Sequence, residues 1–523
     1  MTSEDRRQGK WSLWIWTLAS GLAFFGLVGV QQGWWRGKPS LYTGPLPEIR
    51  DMDRWYCATR NGKPIGNVHR TLTATDTGYV GEEAMRLRIR TMGIVQEIVC
   101  RIEARLNPDM SISEMTLFLG SGLFRFQASA RVTENRTLVV STEAGETVVP
   151  IEGPIHLPGF FLLAYLRDRP PAIDLFEPFQ FSRYRVKVLA EETDIIDIGG
   201  NRVETRRLDV EAMGLRQSAW IDATGAILRE TGPMGLALEA CEAAQALAGL
   251  SDAAGDDWAM EASIASNKIL VDPNLLQTLR IRLSGPIDGL ALDGGRQRFS
   301  NGELLIQKEQ IQPTCSDTLD TDTPYRKPSA LVQSDHPEIT ALAASLMEKA
   351  AGGSKGKTFR KQALGETIRQ TEGGGERGAA TEAPGRTSSA GTEDLPPVPK
   401  RIRTILKWMT DNIQKRPVLS LPNALDTLRN RAGDCNEHAA LFAALARACD
   451  IPTRIETGLV YLKGRFYYHA WNAVFCNEWI TVDASMGQFP ADVTHIRLAA
   501  EEDAAGLMAA VGTLGLSVLE VTP

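Results

Sequence analysis

Residues 431–452 read RAGDCNEHAALFAALARACDIP, and this stretch decides how the chain is understood. Asp434-Cys435-Asn436-Glu437 has the form of a helix capping box, with Asp in the place of Ser or Thr. Asp434 then caps free amides at the helix start, Glu437 reaches back, and Cys435 falls in the first turn. Unpaired backbone N–H groups and the positive end of the helix dipole favour a thiolate there, and the thiolate is the reactive form of cysteine. From Cys435 to Cys449 the helix is apolar nearly all round (Ala439, Leu441, Phe442, Leu445, Ala446, Ala448), which marks a buried helix. It must stop before Ile451-Pro452. A buried helix with a cysteine at its start can hold a nucleophile; the plainer alternative is a packing thiol.

A nucleophilic thiol needs a base, and residues 464–489, GRFYYHAWNAVFCNEWITVDASMGQF, offer one. Phe466 to Phe475 and Trp479 to Ala484 read as two strands of a hairpin. His469 shares a face with Tyr467, Trp471 and Ala473, and Asp483 shares one with Thr481 and Trp479, because strand side chains alternate. A three-residue loop, Cys476-Asn477-Glu478, pairs Phe475 with Trp479 and therefore Trp471 with Asp483. His469 and Asp483 are then diagonal neighbours on one face, with Cα atoms roughly 7–8 Å apart. A two-residue loop would put them on opposite faces unless a bulge restored the phase. With the odd loop the roles follow: His469 is the general base for Cys435, Asp483 holds the ring tautomer, and the Cys435 N–H is one oxyanion donor. His438 is a rival base, although its place in the first helical turn favours a local bond. Trp471 either walls the cleft or packs in the core. Cys449 and Cys476 are expected as core thiols.

GDCNEHAALFAALARACDIPTRIETGLVY, followed by YYHAWNAVF and ITVDAS, resembles the transglutaminase-like superfamily, relatives of papain-fold thiol enzymes. The order Cys, His, Asp matches, as do the intervals of 34 and 14 residues. The resemblance runs from about Lys400 to Leu498 and extends back to a helix after Pro337. It implies that Cys435, His469 and Asp483 form a catalytic triad acting on amide bonds, in a peptidase, an amidase or an acyl transferase. The region from Trp55 onward lies outside the motif.

The chain of 523 residues is too long for one core. A net charge of −7, with no basic cluster interleaved with aromatics, gives no reason to expect a nucleic-acid partner. Seven cysteines are too few for a disulfide scaffold, and their odd number leaves at least one unpaired within the chain. Trp11 to Val30, WSLWIWTLASGLAFFGLVGV, carries no charge and is long enough to cross a bilayer as a helix. Tryptophans flank it, and Arg6, Arg7 and Lys10 against Arg36 and Lys38 favour an N-inside orientation slightly. The expectation is a cytoplasmic segment 1–10, an uncleaved anchor 11–30 in a bacterial inner membrane, and a periplasmic remainder; a cleaved signal peptide is the rival.

Period-two alternation dominates the span 50–330, as in MRLRIRT, LFRFQASARV and RYRVKVLAE. Gly199-Gly200 and Asp222-Ala-Thr-Gly225 are hairpin turns between such runs. This predicts an antiparallel β domain, a curved sheet or partial barrel with a polar outer face. His69 and His156 are isolated and read as surface or internally satisfied histidines. Asp317, Asp320 and Asp322 cluster but lack the fixed Gly and terminal Glu of a calcium loop, so a solvated turn is expected. A Cys57–Cys100 disulfide is conceivable. The transglutaminase-like domain is placed at 335–500, with a disordered insertion at 352–398 and a C-terminal tail at 501–523. The fold class expected for the whole is α+β: a papain-type domain with its cysteine helix packed on an antiparallel sheet, preceded by the β domain and one transmembrane helix.

The function expected is an extracytoplasmic thiol hydrolase that uses Cys435, His469 and Asp483 on protein or peptide substrates of the envelope, with no cofactor and no metal. One alternative is a catalytically idle, peptide-binding module with a β docking domain. Another is a protein-glutamine acyl transferase.

Overall fold

The structure is a computed structural model describing residues 51–122, 124–143, 145–179, 181–248, 256–313, 315, 319, 323–352, 396–418, 423–500 and 505–523. Alternating sequence dictates most of its first half. A 14-stranded antiparallel meander begins with Met52–Arg60 and ends with Leu236–Cys241, and these two strands pair with each other at its centre. In the strand Ile94–Leu106, Cys100, Ile102, Ala104 and Leu106 point inward while Arg101, Glu103 and Arg105 face solvent. Outward charges pair across strands, as in Arg101 with Glu82 at 2.6 Å and Arg86 with Glu97 at 2.8 Å. The short helix Phe161–Asp168 fills the curved inner face, with Leu163 and Ala164 in one core cluster and Leu162, Tyr165 and Leu166 in another. The turn at Gly199-Gly200 has both glycines at positive φ, 59° and 84°, where other residues are strained.

The second half is built around the helix Cys435–Ala448, whose residues from Glu437 to Arg447 are all buried. On one side it packs against the strands Thr453–Leu462 and Arg465–Cys476. On the other it meets the helices Pro337–Ala350, Val398–Asn412 and Ala424–Asn430. Ile402, Ile405, Leu406 and Met409 join Leu441, Phe442 and Leu445 in this core. Burial of a side chain such as Leu441 or Phe442 stabilises by about 1.5–3 kcal/mol relative to exposure. The sheet runs in the order Ile264–Ala265, Arg465–Cys476, Thr453–Leu462, Ile496–Ala500, with Glu478–Val482 also pairing Arg465–Cys476. A third cluster, including Leu279, Ile281, Leu304, Leu459, Phe466 and Ile496, unites this sheet with a four-stranded one that contains Thr278–Ser284 and Gly515–Thr522. Within the span 501–523, therefore, Gly515–Thr522 is a paired strand.

The α+β expectation is corrected: among the described residues strand accounts for 49% and helix for 20%. Alternation that spans 52–241 resumes in Thr278–Ser284, Glu303–Gln307 and Gly515–Thr522, and the long helices lie almost entirely around the cysteine helix. The transmembrane part of that expectation falls on the stretch 11–30. No helix of the described residues is long and apolar enough to cross a membrane, and the stretch 11–30 lies outside them. The insertion 352–398 lies largely outside them too, as do Asp317, Asp320 and Asp322.

The disulfides also differ from expectation. Cys57 bonds Cys241 on the neighbouring strand, and Cys100 is a buried free thiol. Two strands separate Met52–Arg60 from Ile94–Leu106, so a Cys57–Cys100 bond would span three strand spacings, about 14 Å. Cys476 bonds Cys315, and Cys449 remains a buried free thiol.

Gly458 lies opposite His469 at a bulge beside Ile496–Ala500, and a Cβ there would sit 1.9 Å from the Ile496 carbonyl oxygen. Backbone cannot yield as a side chain does. Gly458→Ala is therefore expected to destabilise the protein by about 3 kcal/mol, read as a lower urea midpoint. An unchanged midpoint would contradict the close approach.

Candidate active site

The capping box forms as the sequence predicts. Asp434 Oδ1 accepts from the Asn436 N–H at 2.8 Å, and Glu437 Oε2 accepts from the Asp434 N–H at 2.9 Å. Cys435 is a free, half-buried thiol in the first helical position. Asn472, fully buried on the strand Arg465–Cys476, donates from Nδ2 to the Ala439 carbonyl at 3.0 Å and ties that strand to the first turns of the helix. The backbone N–H of Ala470 reaches the Cys435 sulfur.

The hairpin adopts the odd register. Phe475 pairs with Trp479, Cys476 with Glu478 and Asn472 with Val482 around Asn477, which sits at φ 66°. Asp483 therefore shares a face with His469, and His469 Nε2 donates to Asp483 Oδ2 at 2.7 Å. Nδ1 is the ring nitrogen left for the thiol. Trp471 is core rather than exposed wall: it is 1% exposed, stacks on His469 with ring centroids 6.1 Å apart, and donates from Nε1 to Glu456 Oε2 at 3.0 Å. His438 makes the expected local bond, from Nδ1 to the Asp434 carbonyl at 2.7 Å. Burial lowers its proton affinity, against the bond to Asp434.

Sequence reasoning missed His495. Its Nε2 lies 3.0 Å from Asp483 Oδ2, and its Nδ1 lies 3.3 Å from the carbonyl and 3.4 Å from Oδ1 of Asp492. Asp492 is held by the N–H and hydroxyl of Thr494 at 2.8 and 2.6 Å and by Gln488 Nε2 at 3.0 Å. The available signal was the stretch DVTHIRL, an Asp-x-Thr turn followed by a histidine entering an apolar strand.

Asp483 is thus the hub. Its Oδ1 accepts from the N–H groups of Ser485 and Met486 at 2.7 and 2.9 Å, and its Oδ2 faces both imidazoles. His469, Asp483 and His495 bring their nitrogen and oxygen atoms within 4.8 Å of one another, the composition of a metal site. Here hydrogen bonds occupy the carboxylate: the two rings lie at 2.7 and 3.0 Å from Oδ2, and two backbone amides donate to Oδ1.

Burial pushes the Asp483 carboxyl up, but the hydrogen bonds and charges of His469 and His495 outweigh it and hold the group well below the usual carboxylate range. Burial likewise opposes the charged form of His495, yet its bonds to Asp483 and Asp492 raise it to about 9. For Cys435 the balance runs against the helix-dipole expectation. Close packing around the sulfur pushes the thiol up, the Asp434 carboxylate adds to this, and the Ala470 N–H opposes it. Asp483 and Glu437 push the same way as Asp434. The thiol rests protonated.

These directions fix a pH dependence. His495 has a folded-state value raised from 6.5 to about 9, so its stabilising contribution is complete below 6.5 and lost as pH rises through 9. Asp483 and Asp492 are depressed, so their contributions are complete above the ordinary carboxylate range and constant across that window. The denaturant midpoint is expected to fall between pH 6.5 and 9, and His495→Gln is expected to flatten the fall. A wild-type midpoint that does not change across this window would contradict the assignment.

Residues 386–484 match the family model described as the Transglutaminase-like superfamily. No curated protein matches the chain. Among solved structures, a "Putative Cysteine Protease" from Cytophaga hutchinsonii is 18% identical, over 50% of this chain and 82% of its own, with a TM-score of 0.26. A beta-barrel-like protein of a domain of unknown function from Brucella abortus is 10% identical, over 37% of this chain and 96% of its own, with a TM-score of 0.29. A "putative protease" from Parabacteroides distasonis is 10% identical, over 78% of this chain and 64% of its own, with a TM-score of 0.15. At these identities and TM-scores the three likenesses establish no shared activity. The family match does bear on the site, because it spans Cys435, His469 and Asp483: the chain carries a transglutaminase-like superfamily domain at residues 386–484.

Proposed function

We propose that Cys435, His469 and Asp483 act together as a thiol hydrolase that cleaves amide bonds in proteins or peptides outside the cytoplasm. The observation that carries this reading is the 2.7 Å bond from His469 Nε2 to Asp483 Oδ2, one residue from the Ala470 N–H at the Cys435 sulfur.

Because the thiol rests protonated, proton transfer accompanies attack. His469 Nδ1 takes the Cys435 proton as the sulfur bonds the substrate carbonyl carbon, and the carbonyl π pair moves onto oxygen. The Cys435 N–H, unpaired at the helix start, donates to that oxyanion. The oxyanion collapses, the C–N bond breaks, and the imidazolium returns the proton to the leaving amine. Water, deprotonated by the same imidazole, then hydrolyses the thioester and releases the sulfur. Asp483 stays ionised throughout and steadies the imidazolium. An amine in place of water gives acyl transfer by the same steps.

Two disulfides, Cys57–Cys241 and Cys315–Cys476, support an oxidising compartment, since such bonds are rare in cytosolic proteins. The peptide-binding module without catalysis is a second reading, favoured by the raised Cys435 thiol.

Iodoacetamide alkylation of the full chain, mapped to Cys435 by mass spectrometry, separates the two. The hydrolase reading expects fast labelling in the wild type and none in Cys435→Ala. It expects labelling roughly 100-fold slower in His469→Ala, with an intermediate rate in Asp483→Asn. A slow wild-type rate that His469→Ala leaves unchanged would contradict hydrolysis and leave the binding module.

A further inference from the structure

We propose that His495 is a positioning residue of this site: a buried imidazolium that grips the outer side of Asp483 Oδ2, so that the carboxylate stays ionised and aimed at His469. The inference rests on the hydrolase reading and deepens it.

The geometry carries it. The His495 side chain is 0% exposed and that of Asp483 1%, so neither has water as a partner. A lone carboxylate in such a place would take up a proton or turn away. His469 alone does not prevent this, because during the reaction its ring must change protonation state. His495 has no such duty. Its two nitrogens lie between two carboxylates, Asp483 at 3.0 Å and Asp492 at 3.4 Å, and only the doubly protonated ring donates to both. The bonds to Asp483 and Asp492, which outweigh burial in raising the ring's proton affinity, agree with this.

The rest of the surroundings immobilise the ring. Trp471 meets it edge-on, with centroids 5.2 Å apart and planes at 87°, and the His469 ring lies 5.8 Å away. Arg296 donates to the backbone carbonyls of His495 and Asp492 at 2.6 and 3.1 Å and pairs with Glu309 at 3.0 Å. The titratable groups facing His495 are therefore Asp483, Asp492 and His469, with the Arg296–Glu309 pair behind its backbone. Gln488 closes the loop: its main chain exchanges both hydrogen bonds with Asp483, at 3.0 and 2.9 Å, while its side chain holds Asp492. Asp483 and the His495 turn are thus one unit, fixed from both ends.

A cation at this place has a predictable effect on the chemistry. It compensates part of the Asp483 charge, which makes both the thiol and the imidazolium of the reacting pair easier to deprotonate. Removing it should displace the pH dependence of the thiol's reactivity to higher pH.

The test is the pH profile of Cys435 alkylation in the full chain. His495→Gln keeps a neutral N–H donor, and the rise of its alkylation rate with pH is expected to move up by about one pH unit. His495→Phe keeps bulk without a donor, and its maximal rate is expected to fall a further tenfold or so as Asp483 loses its aim. Profiles of both variants that superimpose on the wild type would overturn the proposal, including where stability alone has dropped. Should neither variant fold, selectively ¹⁵N-labelled histidine in the wild type decides. His495 is expected to show both ring nitrogens protonated at pH 7.5, and a neutral ring there would overturn it. Wild-type alkylation that does not respond to His469→Ala would instead sink the hydrolase reading, and this inference with it.

Discussion

One carboxylate organises the candidate site of this chain. Asp483 is buried, yet it accepts from two backbone amides and faces two imidazoles, and these four donors come from three stretches of chain. His469 comes from the long central strand, Ser485 and Met486 from the turn after the hairpin, and His495 from the approach to the edge strand. A buried charge is tolerable only when its bonds are all made. The fold around it can therefore be understood as the set of constraints that complete them.

The first constraint is register. Hairpin parity at Asn477 decides which face Asp483 occupies, and one residue more or less would turn it away from His469. The second is the helix–strand link. Asn472 anchors the His469 strand to the cysteine helix through the Ala439 carbonyl, and Gly458 lets the sheet close tightly opposite His469. The Cys315–Cys476 disulfide and the Glu309–Thr481 bond at 2.9 Å brace the same hairpin from outside. These elements, more than the thiol's own surroundings, set the geometry on which the proposed proton transfer depends.

Much of this was legible in the sequence. The capping box at Asp434 and Glu437 is a local pattern, and local patterns survive folding. The face shared by His469 and Asp483 followed from counting loop residues, because strand side chains alternate. What was not legible depends on chain segments distant in sequence. Cys57 finds Cys241 because the meander folds its last strand back on its first, and no spacing announces that. His495 joins the site only through the turn that pairs Gln488 with Asp483. The expectation of a thiolate at Cys435 did not hold, because close packing and the carboxylates of Asp434, Asp483 and Glu437 raise the thiol. The balance of helix and strand was misjudged because the cysteine helix and its three neighbours read clearly, while the strands that outnumber them are spread along the chain.

The central claim is that sulfur, imidazole and carboxylate work as one device. It is tested most directly by an experimental structure of the full chain with a peptide aldehyde captured on Cys435. The account predicts the hemithioacetal oxygen against the Cys435 N–H and His469 Nδ1 within about 3.5 Å of the sulfur or that oxygen, with Asp483 still bridging both histidines. An adduct oxygen turned away from the helix start, or a His469 ring released from Asp483 and remote from the adduct, would contradict it.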